Sequence, residues 1–439
     1  MSEQTGQMPQ ARKQRTTPKV AGLRRWLRPK LLATPDEFDL ATTADAEHHQ
    51  TITHRLQTLL EHNNVQLSQD EYQELEAGLI DDLLGFGAIE PLVQDPSYSE
   101  IMANGAEVIF AERGGKMEET EFVFDDEEHI LWTAQRIVRP LQREFSRHNP
   151  MVDARLPDGS RVHLIMPPSA LQGTTITIRK FPDKALTWQD LVSFGSFTEG
   201  VAEFLRACVI ARLNIVVSGG TGSGKTTLLN VISNFIPDDE RTITIEDSAE
   251  LQLSQRHVVR LETAPPVPGG HEGRLTIRDL VKGSLRMRPD RIVVGEIRDG
   301  AALDMLQAMN TGHDGSLTTV HANSPRDAVS RLETLTMMAG MDLPLFVIRS
   351  QIAGAVDVII QQARLKDGSR KITQISEVQG MEGENVILQP IFTYATNGKA
   401  GMQPSREGGG QLLPSGLRPR IADRFPEYGI ELPPALFVT

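Results

Sequence analysis

Residues 219–227 read Gly-Gly-Thr-Gly-Ser-Gly-Lys-Thr-Thr and follow directly on the apolar run Asn214-Ile215-Val216-Val217-Ser218. This is the spacing G-x-x-x-x-G-K-[ST], set between a strand and the start of a helix. It commits the surrounding chain to an α/β layer with the turn at the carboxyl end of a strand. Glycines let the turn fold tightly enough to aim successive N–H groups at phosphate oxygens. Lys225 supplies a charge for the β- and γ-phosphates, and Thr226 a hydroxyl for Mg²⁺. The N-terminus of the following helix adds a favourable partial charge. Gly219, Gly220, Thr221, Gly222, Ser223, Gly224, Lys225, Thr226 and Thr227 are therefore assigned to ATP and its Mg²⁺. The competing view, an ordinary glycine-rich turn with a surface lysine, matches the strand context poorly.

Composition narrows the setting. With 439 residues, 39% hydrophobic and 23% charged, the chain has the make-up of a soluble globular protein with room for about two or three domains. No apolar run approaches a membrane span: Leu345 to Ile360 is interrupted by Arg349, Ser350, Gln351 and Asp357. The N-terminus lacks the apolar core of a secretory signal. A single cysteine, Cys208, excludes an internal disulfide and reads as a buried spectator. These features point to the cytoplasm.

Charge is uneven. The whole chain carries −13, yet residues 1–31 hold eight basic residues and one acid. An acidic body is poor footing for duplex DNA. Residues 12–30, with Leu23-Arg24-Arg25-Trp26-Leu27-Arg28 among them, suit an anionic membrane surface or an acidic partner. A solvated disordered tail is the alternative.

Periodicity divides the rest. Residues 1–45 form the basic arm, read as disordered, and 46–89 a helical module with a capping box from Ser68 to Glu71. Residues 90–180 read as a smaller α+β domain, with a strand at Val108–Phe110, its partner at Glu121–Phe124, and a helix over 126–144 that Pro140 bends or ends. A linker spans 181–196. From 197 to 395 helix and strand alternate, which implies a mostly parallel sheet with helices on both faces. Residues 396–439, rich in Gly, Pro and Arg, read as a weakly ordered tail.

Two acidic tips belong to that alternation. Arg291-Ile292-Val293-Val294-Gly295-Glu296 ends one strand in Glu296, and Thr242-Ile243-Thr244-Ile245-Glu246-Asp247 ends another in Glu246. A P-loop enzyme needs one carboxylate to act on the attacking water and another to help fix Mg²⁺. Gly295 stands where many P-loop proteins carry the Mg²⁺ aspartate. A lone acid at a strand end more often caps a helix or is solvated, but two in the sheet of a P-loop favour function. His313 and His321 flank one strand, with His321 at its carboxyl end. Their setting is not a zinc pattern, and a lone histidine is more often a core or surface residue than a catalytic one.

Taken in order, the P-loop, Ile245-Glu246-Asp247-Ser248-Ala249-Glu250-Leu251, Leu285-Arg286-Met287-Arg288-Pro289-Asp290 running into Gly295-Glu296-Ile297-Arg298, and Thr311-Gly312-His313-Asp314-Gly315 through His321-Ala322-Asn323-Ser324-Pro325 are similar to the Walker A, Asp box, Walker B and His box of the type II/type IV secretion ATPase superfamily. Glu100-Ile101-Met102-Ala103-Asn104-Gly105, Asp153-Ala154-Arg155-Leu156-Pro157-Asp158-Gly159-Ser160-Arg161 and Met305-Leu306-Gln307-Ala308-Met309-Asn310 resemble its CpaF/TadA branch of tight-adherence (Flp-type) pilus assembly. The resemblance implies a RecA-like domain behind the smaller α+β domain, with ATP between the two. It also implies a homo-hexamer in the cytoplasm, docked on an inner-membrane platform protein. By the same resemblance Glu296 acts on water, Glu246 helps order Mg²⁺ and water, His321 contacts the γ-phosphate side and His313 supports it. Arg155 and Arg161 match phosphate-contacting arginines; surface salt bridges around the Pro157-Asp158-Gly159 turn are the alternative. A conjugation-type nucleic-acid translocase can use the same core. A GTPase or small-molecule kinase fits less well, because no guanine-reading motif, acceptor site or lid is found.

Overall fold

The computed structural model describes residues 16–34, 37–38, 46–141, 144–181, 184–263, 275–395 and 410–438. The chain divides into two units, residues 1–184 and 185–439.

The first unit contains helices α1 (Pro18–Leu27), α2 (Ala46–His62), α3 (Gln69–Leu84) and α4 (Glu90–Gln94). Strands β1 (Tyr98–Asn104), β2 (Ile109–Arg113) and β3 (Lys116–Glu119) follow, then α5 (Glu127–Val138), β4 (Met151–Arg155), β5 (Arg161–Ile165) and β6 (Thr175–Arg179). The capping box forms: Ser68 N–H donates to Glu71 Oε2 at 2.9 Å and Glu71 N–H to Ser68 Oγ at 3.2 Å. Ile52, Leu56, Leu75, Leu79 and Leu83 share a core with Val20, Leu27 and Leu31. The strands make one antiparallel sheet in the order β3-β2-β1-β6-β5-β4. Ile130, Ala134 and Ile137 of α5 join the core of that sheet.

Two local expectations are corrected. The partner of β2 is Lys116–Glu119 and not Glu121–Phe124. Gly114 and Gly115, at φ 57° and 79°, turn the chain back within two residues. Helix α5 stops at Val138 and passes into a tight turn over Arg139–Leu141, because Pro140 has no N–H to continue it.

A disordered arm does not hold over residues 16–34. That stretch forms α1 and a turn, and Arg24 and Arg28 are buried. Both arginines reach the fully buried Asp82 of α3, Arg24 Nη2 at 2.8 Å and Arg28 Nε at 3.0 Å. His129 Nε2 lies 2.7 Å from the same carboxylate. Arg25 pairs with Asp126 and Lys19 with Glu71. Apolar anchors and buried carboxylates thus hold charges that the sequence left for solvent or a membrane. Residues 1–15 lie outside the described residues.

The second unit runs α6 (Trp188–Ser193), α7 (Glu199–Ile210), β7 (Ile215–Gly219), α8 (Lys225–Ser233), β8 (Thr242–Glu246), β9 (Val258–Glu262), α9 (Ile277–Ser284) and β10 (Arg291–Val294). It continues with α10 (Ala301–Asn310), β11 (Leu317–His321), α11 (Pro325–Met337), α12 (Leu345–Ala355), β12 (Val358–Arg364), β13 (Arg370–Glu382), β14 (Asn385–Ala395) and β15 (Gln411–Pro414). The sheet order is β15-β14-β13-β12-β7-β11-β10-β8-β9. From β12 to β9 the neighbours are parallel; from β12 to β15 they are antiparallel. Side chains alternate across the sheet. Ile215 and Val217 enter a core with α7 and α8, whereas Val216 enters a second core with α10, α11 and α12.

The segment 181–196, expected as a linker, includes α6. The tail is also more structured than its composition suggests. Residues 411–414 add the edge strand β15, and Phe425 and Phe437 are buried against Phe204. Residues 396–409 lie outside the described residues. No helix among the described residues is long and apolar enough to cross a membrane.

Candidate nucleotide site

Strand β7 is buried along its whole length and ends at Gly219, the first residue of the phosphate-loop motif. Gly222 and Gly224 take φ of 68° and 91°, and Gly224 caps α8. Such angles are open to glycine at little cost. Lys225 and Thr226 thus open α8, where its free N–H groups and partial positive charge suit an anion. Ser223 Oγ and Lys225 Nζ both donate to the Gly220 carbonyl, at 2.9 and 3.1 Å. Burial lowers the pKa of Lys225, while the charge of Glu296 pulls it back up.

Both acidic tips sit at carboxyl ends of parallel strands. Glu246 closes β8 and is 2% exposed. Its Oε1 accepts from the N–H groups of Glu250 and Leu251 at 2.8 and 3.0 Å. Its Oε2 is buried with no hydrogen-bond partner among the described residues. Burial raises the pKa of Glu246, and the two backbone N–H groups oppose that. A carboxylate oxygen left with unused lone pairs in a buried site suits a metal-bound water or a cation. Gly295 makes this placement possible: a Cβ there would stand 3.1 Å from Glu246 Cγ. The side chain of Glu246 therefore leans across the place where an aspartate at 295 would begin.

Glu296 follows β10, and its Oε2 accepts from Arg298 Nε and Nη2 at 2.9 and 2.6 Å. Arg298 also reaches Asp247 at 3.7 Å, so it bridges the two acidic tips. Strand β10 is two positions from β7 in the sheet, about 10 Å at the usual spacing. His321 ends β11, the parallel neighbour of β7, directly opposite Gly219. The structure thus gathers the loop, Glu246, Glu296 and His321 at one edge of the sheet.

His313 does not join them. It precedes β11, and its loop is pinned at the amino end of the sheet, where Asn214 Oδ1 accepts from Gly315 and Ser316 N–H at 2.9 and 3.0 Å. A contact with the phosphates is therefore corrected for this residue: the length of β11 separates it from the loop. Arg155 and Arg161 belong to the first unit, where they pair across the β4–β5 hairpin.

Three contributors escaped the sequence reading of the site. Arg298 was visible two residues beyond Glu296. Gln362 and Arg370 carried no local signal. Gln362 of β12 lies opposite Gly219 and is 3% exposed. Arg370 Nε donates to the Gly222 carbonyl at 3.0 Å.

A family model described as type II/IV secretion system protein matches residues 82–395. The chain belongs to this family. It is accordingly a nucleotide-using ATPase of the secretion superfamily, with a RecA-like sheet preceded in the chain by a smaller α+β domain. A protein named for conjugal transfer in Mycobacterium tuberculosis is 35% identical over 308 residues, covering 69% of this chain and 87% of the relative. The type IV secretion system protein VirB11 of Bartonella henselae is 31% identical over 328 residues, covering 65% of this chain and 90% of the relative. Among solved structures, the ATPase DotB of Yersinia pseudotuberculosis is similar in fold, with a TM-score of 0.50 at 18% identity over 66% of this chain and 77% of that one.

Proposed function

We propose that this secretion-family ATPase is the motor of a tight-adherence type pilus assembly machine, converting ATP hydrolysis into movement that drives pilin export. The observation that carries the hydrolytic reading is the convergence of the phosphate loop with Glu246, Glu296 and His321 at the carboxyl edge of one sheet. The pilus branch rests on the runs Glu100–Gly105, Asp153–Arg161 and Met305–Asn310.

In this reading the loop N–H groups and Lys225 hold the β- and γ-phosphates. Thr226 Oγ1 and, through water, the buried Oε2 of Glu246 hold Mg²⁺, which when bound supplies charge neutralisation at the phosphates. Glu296 orients the attacking water and accepts its proton. Arg298, which donates to the same carboxylate through Nε and Nη2, holds it in place. His321 senses the γ-phosphate side. Arg155 and Arg161 add positive charge to the transferring phosphoryl group, in cis or from a neighbouring copy. A homo-hexamer at the cytoplasmic face of the inner membrane, docked on a platform protein, is the proposed working form.

The test is Glu296→Gln. The variant keeps ATP affinity within about threefold and loses about 10²- to 10⁴-fold in kcat. Normal turnover would move the base elsewhere, with Glu246 next in line. A second reading, the nucleic-acid translocation ATPase of a conjugation-type machine, is favoured by the relatives named for conjugal transfer. Stimulation of turnover by a membrane platform protein supports the first reading; stimulation by DNA supports the second. The net charge of −13 weighs against a DNA track on this chain.

A further inference from the structure

Three consecutive residues at the start of β13 touch both the phosphate loop and the first segment of the second unit. Arg370 Nε donates to the Gly222 carbonyl at 3.0 Å. The Arg370 carbonyl in turn accepts from Ser196 Oγ at 2.8 Å. Lys371 Nζ donates to the carbonyls of Gly195 and Phe194, at 2.7 and 3.3 Å. The Ile372 N–H donates to the Ser196 carbonyl at 3.0 Å. Gly195 has φ 64°, and a Cβ on it would stand 2.8 Å from Lys371 Nζ. The turn is shaped for this lysine.

The strand between these contacts is paired along one edge. Arg370 and Lys371 pair with Arg364 and Ala363 of β12. Gln362, the next residue of β12, lies opposite Gly219. Side-chain atoms of Arg370 and Gln362 both lie 3.2 Å from where a Cβ on Gly224 would stand. The loop therefore rests on one side of the β12–β13 hairpin and the end of segment 185–196 on the other. The bond from Arg370 falls on the carbonyl of Gly222, so a change in that peptide when phosphate binds is felt at Arg370. A packed hairpin transmits such a change instead of absorbing it.

We propose that Arg370 and Lys371 are positioning residues that couple the phosphate loop to segment 185–196. Arg370 holds the loop, Lys371 and the Ser196 bonds hold the segment, and β13 carries displacement between them. The coupling rests on the nucleotide-binding function proposed above. It deepens that reading by naming the side chains through which the reaction cycle reaches the first segment of the second unit. Coupling of this kind requires the two ends to bias one shared element, and β13 is that element.

Amide hydrogen exchange on the full chain, with and without ATPγS and magnesium, tests it. In the wild type, nucleotide changes exchange within 185–196 by about fivefold or more. Lys371→Met binds ATPγS within twofold of wild type and loses most of that response, and Lys371→Arg restores it. Ser196→Ala, which deletes only the hydroxyl bond to Arg370, weakens the response in the same direction and covers the case of a Lys371→Met chain that does not fold. Arg370→Ala loses the response and also binds nucleotide about three- to tenfold more weakly, through loss of a charged donor to the loop. The coupling is overturned if the wild type binds nucleotide while 185–196 is unaffected, or if Lys371→Met responds like the wild type. A wild type that binds no nucleotide overturns the proposed function itself, and the coupling with it.

Discussion

Glu246 and Gly295 act as a pair. The carboxylate of Glu246 is buried, half satisfied by two backbone N–H groups, and laid against a residue with no side chain. Gly295→Ala places a methyl 3.1 Å from Glu246 Cγ and 3.6 Å from its Oε1. In a packed site the neighbour must shift, at about 1–3 kcal/mol. We expect kcat to fall about tenfold and the melting temperature to drop by a few degrees. Unaltered kcat would show that the placement of Glu246 is irrelevant to turnover. Glu246 and Glu296 were legible in the sequence because each ends a short apolar strand and local pattern is enough. Arg370 was not, because it meets the loop from 148 residues downstream of Gly222. The misreading of His313 has a different origin: its role came with the resemblance, while its own place, before the strand that ends at His321, puts it at the far end of β11 from the loop.

At the scale of elements, α1, α3 and α5 meet around Asp82. Burial alone would raise the pKa of this carboxyl, but His129, Arg24 and Arg28 outweigh it and hold it well below the usual carboxylate range. Gly78 makes that possible. It sits inside α3, where glycine weakens a helix by about 1 kcal/mol, and a Cβ there would stand 2.8 Å from Arg24 Cζ. The glycine inside a helical pattern was the one sequence sign that something approaches α3 closely. The arginines themselves read as a solvated or membrane-facing run, because charge pattern does not reveal a buried partner. Next to Asp82, Asp81 is pushed up to about 6 by burial and by the nearby Glu90 and Asp82. The folded chain then holds a proton on Asp81 that the unfolded chain has already released, so stability falls as pH rises from 3.8 to about 6. Asp82 has the opposite sign: its contribution is present above the ordinary carboxylate value and fades as pH falls below it. Asp81→Asn removes the first slope. The opening free energy of α3, taken from amide exchange after division by the intrinsic rate at each pH, should be nearly independent of pH over that range in the variant. A decline as steep as in the wild type would remove Asp81 as its source.

At the scale of the whole chain, the parallel part of the second sheet follows from the alternation of strands and helices. Its antiparallel extension does not. Strands β13 to β15 follow no crossover helix, and the tail beyond them is rich in Gly, Pro and Arg. Its anchors are a few irregularly spaced aromatics, invisible to any period. Phe437 is 3% exposed, with its ring 5.9 Å from Phe204 and 6.2 Å from Phe392. Phe437→Ala should cost about 3–5 kcal/mol, read as a lower denaturant midpoint for the second unit with the first unit unmoved. An unchanged midpoint would make the tail a surface ornament. These aromatics also impose an order in time. The chain emerges from the ribosome N-terminus first, at roughly 5–20 residues per second, so the phosphate loop is made long before Phe425 and Phe437. Until they arrive, Phe204 and Phe392 lack their covering rings. A nascent second unit thus stays sticky until Phe425 and Phe437 have been translated. A stalled ribosome or a premature stop codon in this stretch would release a chain with every phosphate-binding residue and an unfinished core, a client for chaperones instead of a working ATPase.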